Sequence, residues 1–286
     1  MNIHWYPGHM AKAKRLLYEN IKLVDIIIEV LDARIPISSH NPDIVDIYQN
    51  KGRVIVLNKA DMADPATTKL WIAWYQKKGL NVIPFSSIQS KGKKELILLL
   101  RKSIKSKADR LYENKGVRMT VRAMIIGIPN VGKSTLINQL AGSSRALTGD
   151  KPGVTRGKQW IKVDPYLELM DTPGLLWPKL NDAEVARHLA YIGSIKDEIL
   201  DSHELCTSLL NELKVTFPKG LMERFKLDQL EGTGLEILEA ICKKRGWIMN
   251  GAIPDLERGA HAILDEFRNQ KMGFISLERP TEILDH

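Results

Sequence analysis

The sequence predicts an α/β protein: a doubly wound, mostly parallel sheet followed by a small all-α C-terminal domain. Apolar runs rich in β-branched residues alternate with helical stretches as far as Met170, the pattern of parallel strands joined by crossover helices. One run, Val121–Ile126, feeds Gly127-Ile128-Pro129-Asn130-Val131-Gly132-Lys133-Ser134 and then a helix start, the strand–loop–helix setting of a phosphate-binding loop. From Ala183 onward apolar residues recur three or four apart, with almost no strand signal.

In chain order, the Pro7-Gly8 turn opens a helix with a basic face. Val24 to Leu31 is an apolar run that reads as a strand buried on both faces, and it ends in Asp32-Ala33-Arg34. Asn41 to Tyr48 reads as a short helix, and Arg53–Leu57 as a second buried strand running into Asn58-Lys59-Ala60-Asp61. Pro65 starts a helix extending to Lys78. Leu80–Phe85 is a third strand closing on Ser86-Ser87, Lys93–Lys107 a helix, and Leu111–Thr120 a polar connector. Beyond the loop helix, Gln159–Val163 and Leu167–Met170 are short strands, the second delivering Asp171-Thr172-Pro173-Gly174. Helices are expected at 205–213, 221–225, 235–244 and 256–269. The expected division is 1–177 for the sheet domain and 178–286 for the helical one.

Composition narrows the function class. With 44% hydrophobic and 27% charged residues in 286, the chain has the make-up of a soluble globular protein of one large domain or two ordinary ones. No apolar run approaches the roughly 18 residues that span a bilayer, and no secretory signal is visible. The two cysteines, Cys206 and Cys242, are too few for a disulfide framework or a zinc site. A cytoplasmic protein without membrane contact is expected. Between Lys91 and Arg122 lie eleven basic and three acidic residues, a surplus of eight that equals the net charge of the whole chain. Such a stripe attracts polyanions, nucleic acid first; a solvated helix face gives the same pattern.

The loop and its neighbours suggest a nucleotide. Its glycines let successive N–H groups face an anion, and the helix N-terminus adds positive potential. Asn130, Val131, Gly132, Lys133, Ser134 and Thr135 are the phosphate-binding candidates, with Lys133 reaching the outer phosphates and the Ser134 hydroxyl ligating Mg²⁺. Asp61 can accept from both N1–H and the exocyclic amine of guanine, whereas adenine would leave its charge unpaired. Asn58 would bond the other edge of the base, the Lys59 stem would cover the ring, and Ser86-Ser87 fit the backbone loop at guanine O6. Asp171 would hold Mg²⁺ through water, and the Gly174 N–H would touch a γ-phosphate. Thr155, in Pro152-Gly153-Val154-Thr155-Arg156, would complete the Mg²⁺ shell; Thr148 lacks that Pro-Gly context.

These motifs stand in an unusual order: Asn58–Asp61, Ser86-Ser87, Gly127–Ser134, Thr155, Asp171–Gly174. Ordinary GTPases run loop first and base motif last, so the chain resembles a circularly permuted P-loop GTPase. With Trp5-Tyr6-Pro7-Gly8-His9-Met10-Ala11-Lys12-Ala13, Gly127-Ile128-Pro129-Asn130 and Asp171-Thr172-Pro173-Gly174, it closely resembles the bacterial ribosome biogenesis GTPase A family. The resemblance covers essentially the whole chain and is weakest in the helical tail. It implies a monomer that hydrolyses GTP to GDP, assists late maturation of the large ribosomal subunit, and binds the subunit precursor and its rRNA. Residues 104–120 would join the old ends of the domain. The helical domain then hangs directly behind the second switch, where a γ-phosphate could re-aim it. The Gly-x-Pro-Asn-x-Gly-Lys-Ser pattern further implies K⁺ beside the phosphates, with Asn130 as its ligand.

Hydrolysis has a gap in this reading. The residue after Gly174 is Leu175, which cannot orient water. His9 is the candidate substitute, since imidazole can accept from water near neutral pH; contact with RNA or a helix cap explains it equally well. The alternative to an assembly GTPase is a metabolic P-loop enzyme, either a kinase or a nucleotide-dependent RNA-modifying enzyme, but no second catalytic cluster is visible. A membrane signalling GTPase lacks lipidation motifs.

Overall fold

Residues with branched apolar side chains build the centre of the molecule. In the computed structural model the described residues are 8–48, 51–86, 92–105, 109, 112–114, 116, 119–142, 159–177, 180 and 182–280. A first helix, α1 (Gly8–Asn20), leads to strand β1 (Ile26–Asp32), which is buried along its whole length. A 3-10 segment (Pro42–Tyr48), where a short helix was expected, precedes β2 (Gly52–Asn58), α2 (Pro65–Lys77), β3 (Asn81–Pro84) and α3 (Lys93–Ser103). Then come β4 (Val121–Ile126), α4 (Lys133–Ala141), β5 (Gln159–Asp164) and β6 (Leu167–Asp171). The expected elements are present, with ends displaced by a few residues, α3 being shorter than predicted. Eight of the 17 residues of 104–120, the expected join, lie outside the described residues.

The six strands form one sheet in the order β3-β2-β1-β4-β6-β5, with every neighbouring pair parallel except β5 with β6. Strand order therefore reverses between β1 and β4. The carboxyl ends of parallel strands at such a switch point form a crevice that binds ligands. Here they deliver Asp32, Asn58, Gly127 and Asp171 to one edge of the sheet.

Side chains alternate between the two faces. Leu31, Ile55 and Leu57 pack with Trp71 and Tyr75 of α2, while Val30, Val54 and Val56 join the larger core on the other face. The apolar run predicted for β1 carries Asp25 near its start and a second carboxylate, Glu29, in its middle. Glu29 is 1% exposed, and its carboxylate accepts from His40 Nδ1 and from Arg53 Nη2, each at 2.6 Å. Paired in this way, the charge is tolerated where a lone carboxylate would not be.

The tail is α5 (Ala183–Tyr191), α6 (Ser202–Thr216), α7 (Pro218–Phe225), α8 (Gly234–Arg245) and α9 (Leu256–Arg268). Four of these helices start on a side-chain cap: Asp182, Asp201, Asp255, and Thr233 in a capping box with Glu236. Each such cap contributes about 1 kcal/mol. α6 is the central helix, packed on α8 and α9 through Leu205, Leu209, Leu210 and Leu213. Those leucines belong to the same continuous core as β1 and β4.

Two features of the tail differ from the expectation. A small hairpin, β7 (Ile248–Met249) and β8 (Ile253–Pro254), joins α8 to α9; two-residue strands are too short to leave a periodic signal. Residues 269–280 then turn away from the helices and run back along the sheet domain, where Ile275 donates to Met62 and Leu277 to Arg34 through backbone bonds of 3.0 Å.

Candidate functional site

The phosphate loop starts from the buried end of β4. Lys133 lies inside it, donating its ammonium to the Ile128 carbonyl at 2.7 Å. Burial pushes the Lys133 pKa down to about 8, with Asp171 opposing the shift. An arriving phosphate would add a counter-charge to that of Asp171 and favour the buried ammonium further. α4 begins at Gly132 with no side-chain cap, in contrast to four of the five tail helices. The N-terminus of such a helix favours an anion. Gly132 has φ +92°, and a Cβ there would overlap the Asn58 amide nitrogen, so only glycine fits.

The end of β6 closes on this loop. Asp171 is buried, and its Oδ2 accepts from the Ser134 hydroxyl at 3.0 Å. A hydroxyl and a carboxylate are hard oxygen donors of the kind Mg²⁺ takes, so this pair could hold the ion, the serine directly and the carboxylate through water. No group of three or more His, Cys, Asp or Glu side chains that could cage a metal occurs among the described residues. An ion here would rest on these two side chains, phosphate oxygens and water, the usual Mg²⁺ arrangement. Thr172 Oγ1 anchors the turn to the Ile125 carbonyl at 2.5 Å. Gly174 lies against the loop so closely that a Cβ would stand 2.7 Å from Pro129 N and 3.0 Å from Lys133 Nζ. That position can approach a terminal phosphate. Leu175 is buried, its N–H on the Gly127 carbonyl and its carbonyl taken by Asn41 Nδ2 at 2.9 Å. A side chain held in the core cannot orient water.

The second predicted cluster meets the first. Asn58 Nδ2 donates to the Val131 carbonyl at 2.6 Å, joining residues 73 apart in sequence. Lys59 takes a left-handed φ of +58°, and its ammonium pairs with Asp32 Oδ2 at 3.1 Å. Asp32 is fully buried and clasped at both oxygens by Arg34, whose Nε and Nη2 lie at 2.9 and 2.8 Å. Burial alone would raise the Asp32 pKa; the charges of Arg34 and Lys59 outweigh it and hold the carboxyl well below the usual range. The Ala60 N–H donates to the Phe85 carbonyl at 3.1 Å, which brings the buried Ser86 beside the Asn58–Asp61 turn.

The tail also touches the site. Asn130, left-handed at φ +61°, donates through Nδ2 to the Gly193 carbonyl at 2.6 Å. The Ser194 hydroxyl donates to the Pro129 carbonyl at 2.7 Å. Asp32, Arg34, Asn41 and Ser194 escaped the sequence reading. Only the first two carried a signal: opposite charges at the carboxyl end of an apolar strand, the edge where parallel sheets bind ligands. Thr155, Thr148 and Ser87 lie outside the described residues, as does the side chain of His9, whose backbone falls in the first turn of α1.

Comparison with known proteins agrees with this geometry. A family profile described as "50S ribosome-binding GTPase" matches residues 122–217. A Bacillus cereus protein named ribosome biogenesis GTPase A is 45% identical over 283 residues, covering 99% of this chain and 95% of that one. Its namesake from Thermotoga maritima is 33% identical over 281 residues, covering 98% and 95%. The solved structure titled "Crystal structure of GNP-bound YlqF from T. maritima" superposes with a TM-score of 0.70 at 28% identity, covering 95% of this chain and all of that one.

Proposed function

The chain belongs to the ribosome biogenesis GTPase A family, and from that premise we propose that it acts late in maturation of the large ribosomal subunit, binding precursor rRNA in its GTP state and hydrolysing GTP faster when bound. GTP hydrolysis in ribosome biogenesis comes with the family. The large subunit as target draws support from the matched profile's description as a 50S-binding GTPase.

The observation that carries the site assignment is the meeting of three separated motifs at one sheet edge. Ser134 contacts Asp171 across 37 residues, and Asn58 contacts Val131 across 73. In this reading Asp61, Asn58, Lys59, Ser86 and Ser87 receive guanine. The backbone from Asn130 to Thr135 and the Lys133 ammonium hold the phosphates, and Gly174 reports on the outermost one. Ser134, Asp171 and Thr155 would hold Mg²⁺, which when bound neutralises charge developing on the phosphates. Asn130 is the proposed K⁺ ligand, its amide oriented by the bond to Gly193. His9 is the proposed water-orienting group, since Leu175 is held in the core. Residues 1–177 form the GTPase domain and 178–286 the ribosome-binding helical domain of a cytoplasmic monomer. No described helix is long and apolar enough to cross a membrane.

The test is turnover with and without purified large-subunit precursors, in KCl and in NaCl, beside cosedimentation in GTP-analogue and GDP states. Stimulation by precursor, and pelleting only with the analogue, are expected. Equal pelleting in both states would overturn nucleotide-dependent docking. Equal rates in both salts would remove K⁺, and unimpaired stimulated turnover by His9→Ala would remove that histidine's role.

A further inference from the structure

The turn Asn58–Asp61 is held from outside its own neighbourhood. Lys59 is left-handed, a conformation that costs a non-glycine residue energy and persists only where surroundings impose it. One restraint runs through the buried charges, from Lys59 to Asp32 to Arg34. Arg34 in turn donates through Nη1 to the Phe267 carbonyl at 3.3 Å, and its guanidinium lies 5.1 Å from the centre of the Phe267 ring, at the end of α9.

The second restraint comes from the returning segment. Gln270 donates its side-chain amide to the Asp61 carbonyl. The Ile275 N–H donates to the Met62 carbonyl at 3.0 Å, and the Asp64 N–H donates to the Ser276 hydroxyl at 3.1 Å. Three positions at the end of the turn and just after it, Asp61, Met62 and Asp64, are thus bound by residues more than 200 positions away. Gln270 is itself left-handed at φ +61°. Of the five non-glycine residues with positive φ among the described residues, Lys59, Asn130 and Gln270 all lie where the tail meets the nucleotide loops.

We propose that the returning segment 270–276, together with the Arg34–Asp32 pair, positions the guanine-recognition turn, so that the grip on the base depends on the tail being docked. The proposal rests on the reading of Asn58–Asp61 as the base site. Gln270 and Ser276 act as positioning residues: Gln270 touches the backbone of the turn at Asp61 and Ser276 the chain just past it at Asp64, and together they set where Asn58, Lys59 and Asp61 stand. The coupling is reciprocal. A bound guanine nucleotide favours the docked segment, and a polyanion that draws the tail away hastens release of GDP.

The test measures dissociation of methylanthraniloyl-GDP and of the matching inosine diphosphate, which lacks the exocyclic amine that Asp61 would receive. Gln270→Gly removes the amide and suits a left-handed backbone, so its melting temperature should be preserved. GDP release is expected to accelerate about fivefold, the equivalent of one ordinary hydrogen bond, and inosine diphosphate release by less. Ser276→Ala should act in the same direction. An unchanged GDP off-rate in both variants, or equal acceleration of the two nucleotides, overturns the proposal. Asp61→Asn separates the two layers of the reading. If it fails to exchange preference for GDP with preference for xanthosine diphosphate, the base assignment falls. If it does exchange and the tail variants leave GDP release unchanged, only the positioning role falls.

Discussion

The two ends of the nucleotide site are built in different ways. At the phosphate end, Gly127–Ser134 is shaped by its own backbone: a buried strand leads in, a helix leads out, and Gly132 fits where any side chain would strike Asn58. At the proposed base end, Asn58–Asp61 is closed locally by the Met62 N–H on the Lys59 carbonyl at 2.8 Å, but it also leans on distant parts of the chain. A buried ion chain and the tail add to that restraint. Binding phosphate is common chemistry that a short motif can encode. Holding the donors and acceptors that would select one base, the role proposed for this turn, needs rigid support, part of which comes from far along the chain.

Breaking each end separately sharpens that contrast. The largest effect belongs to Arg34→Met, which leaves the Asp32 charge buried with Lys59 as its remaining partner; a loss of about 3–5 kcal/mol in urea unfolding is expected. Asp32→Leu/Arg34→Met should recover much of it, because no charge is then left buried. If the double variant is no better than the single one, the pair's cost lies in packing. At the phosphate end, Gly132→Ala should leave the fold standing but weaken nucleotide binding roughly 100-fold, since it strains the loop and displaces Asn58 together. Titration calorimetry with GDP reads this directly, and near-native affinity would contradict the fit described.

The smallest effect is one of pH. His188 is buried between Glu212 Oε1 at 2.8 Å and Glu278 Oε1 at 3.1 Å. Burial alone would lower its pKa; hydrogen bonds and the charges of both carboxylates overcome this and raise it to about 9. A raised histidine stabilises fully below its unfolded pKa of about 6.5 and loses that contribution as pH climbs through 9. Between pH 6.5 and 8 the protein should therefore lose on the order of 1–2 kcal/mol, and His188→Gln should flatten the slope. Above pH 8 the phosphate end opposes it, because the lowered Lys133 pKa makes the folded state more favourable as that ammonium deprotonates. The carboxylate of Glu278 also binds the Ile37 and Ser38 N–H groups at 2.6 and 3.0 Å, so the histidine fastens the returning segment. A pH–stability curve unaltered by His188→Gln would show that this clasp contributes nothing.

Much of the fold was legible because burial writes a periodic pattern. Parallel strands covered on both faces are apolar throughout, as at Val54–Leu57, and helices with one buried face repeat every three or four residues, as along α6. Glu29 shows where pattern reading stops. A carboxylate in β1 looks like an exposed position, and only His40 and Arg53, brought in by other elements, make it a core residue. The phosphate loop was equally legible, since its function depends on residue types at fixed spacing. Leu175 was readable as unable to position water, but that Asn41 holds its carbonyl was not.

By itself, then, the sequence determined the parallel sheet, the loop chemistry and the permuted order of the motifs, all of which follow from local spacing and hydrophobic period. Tertiary structure alone decided that Asn58 would meet Val131, that Asp32 and Arg34 would brace Lys59, and that Gln270 would reach Asp61. The physical reason is range. Spacing and period act over a few residues and can be read along the chain, whereas a buried ion pair or a single long-range hydrogen bond gains its energy only from a partner that folding brings within about 3 Å.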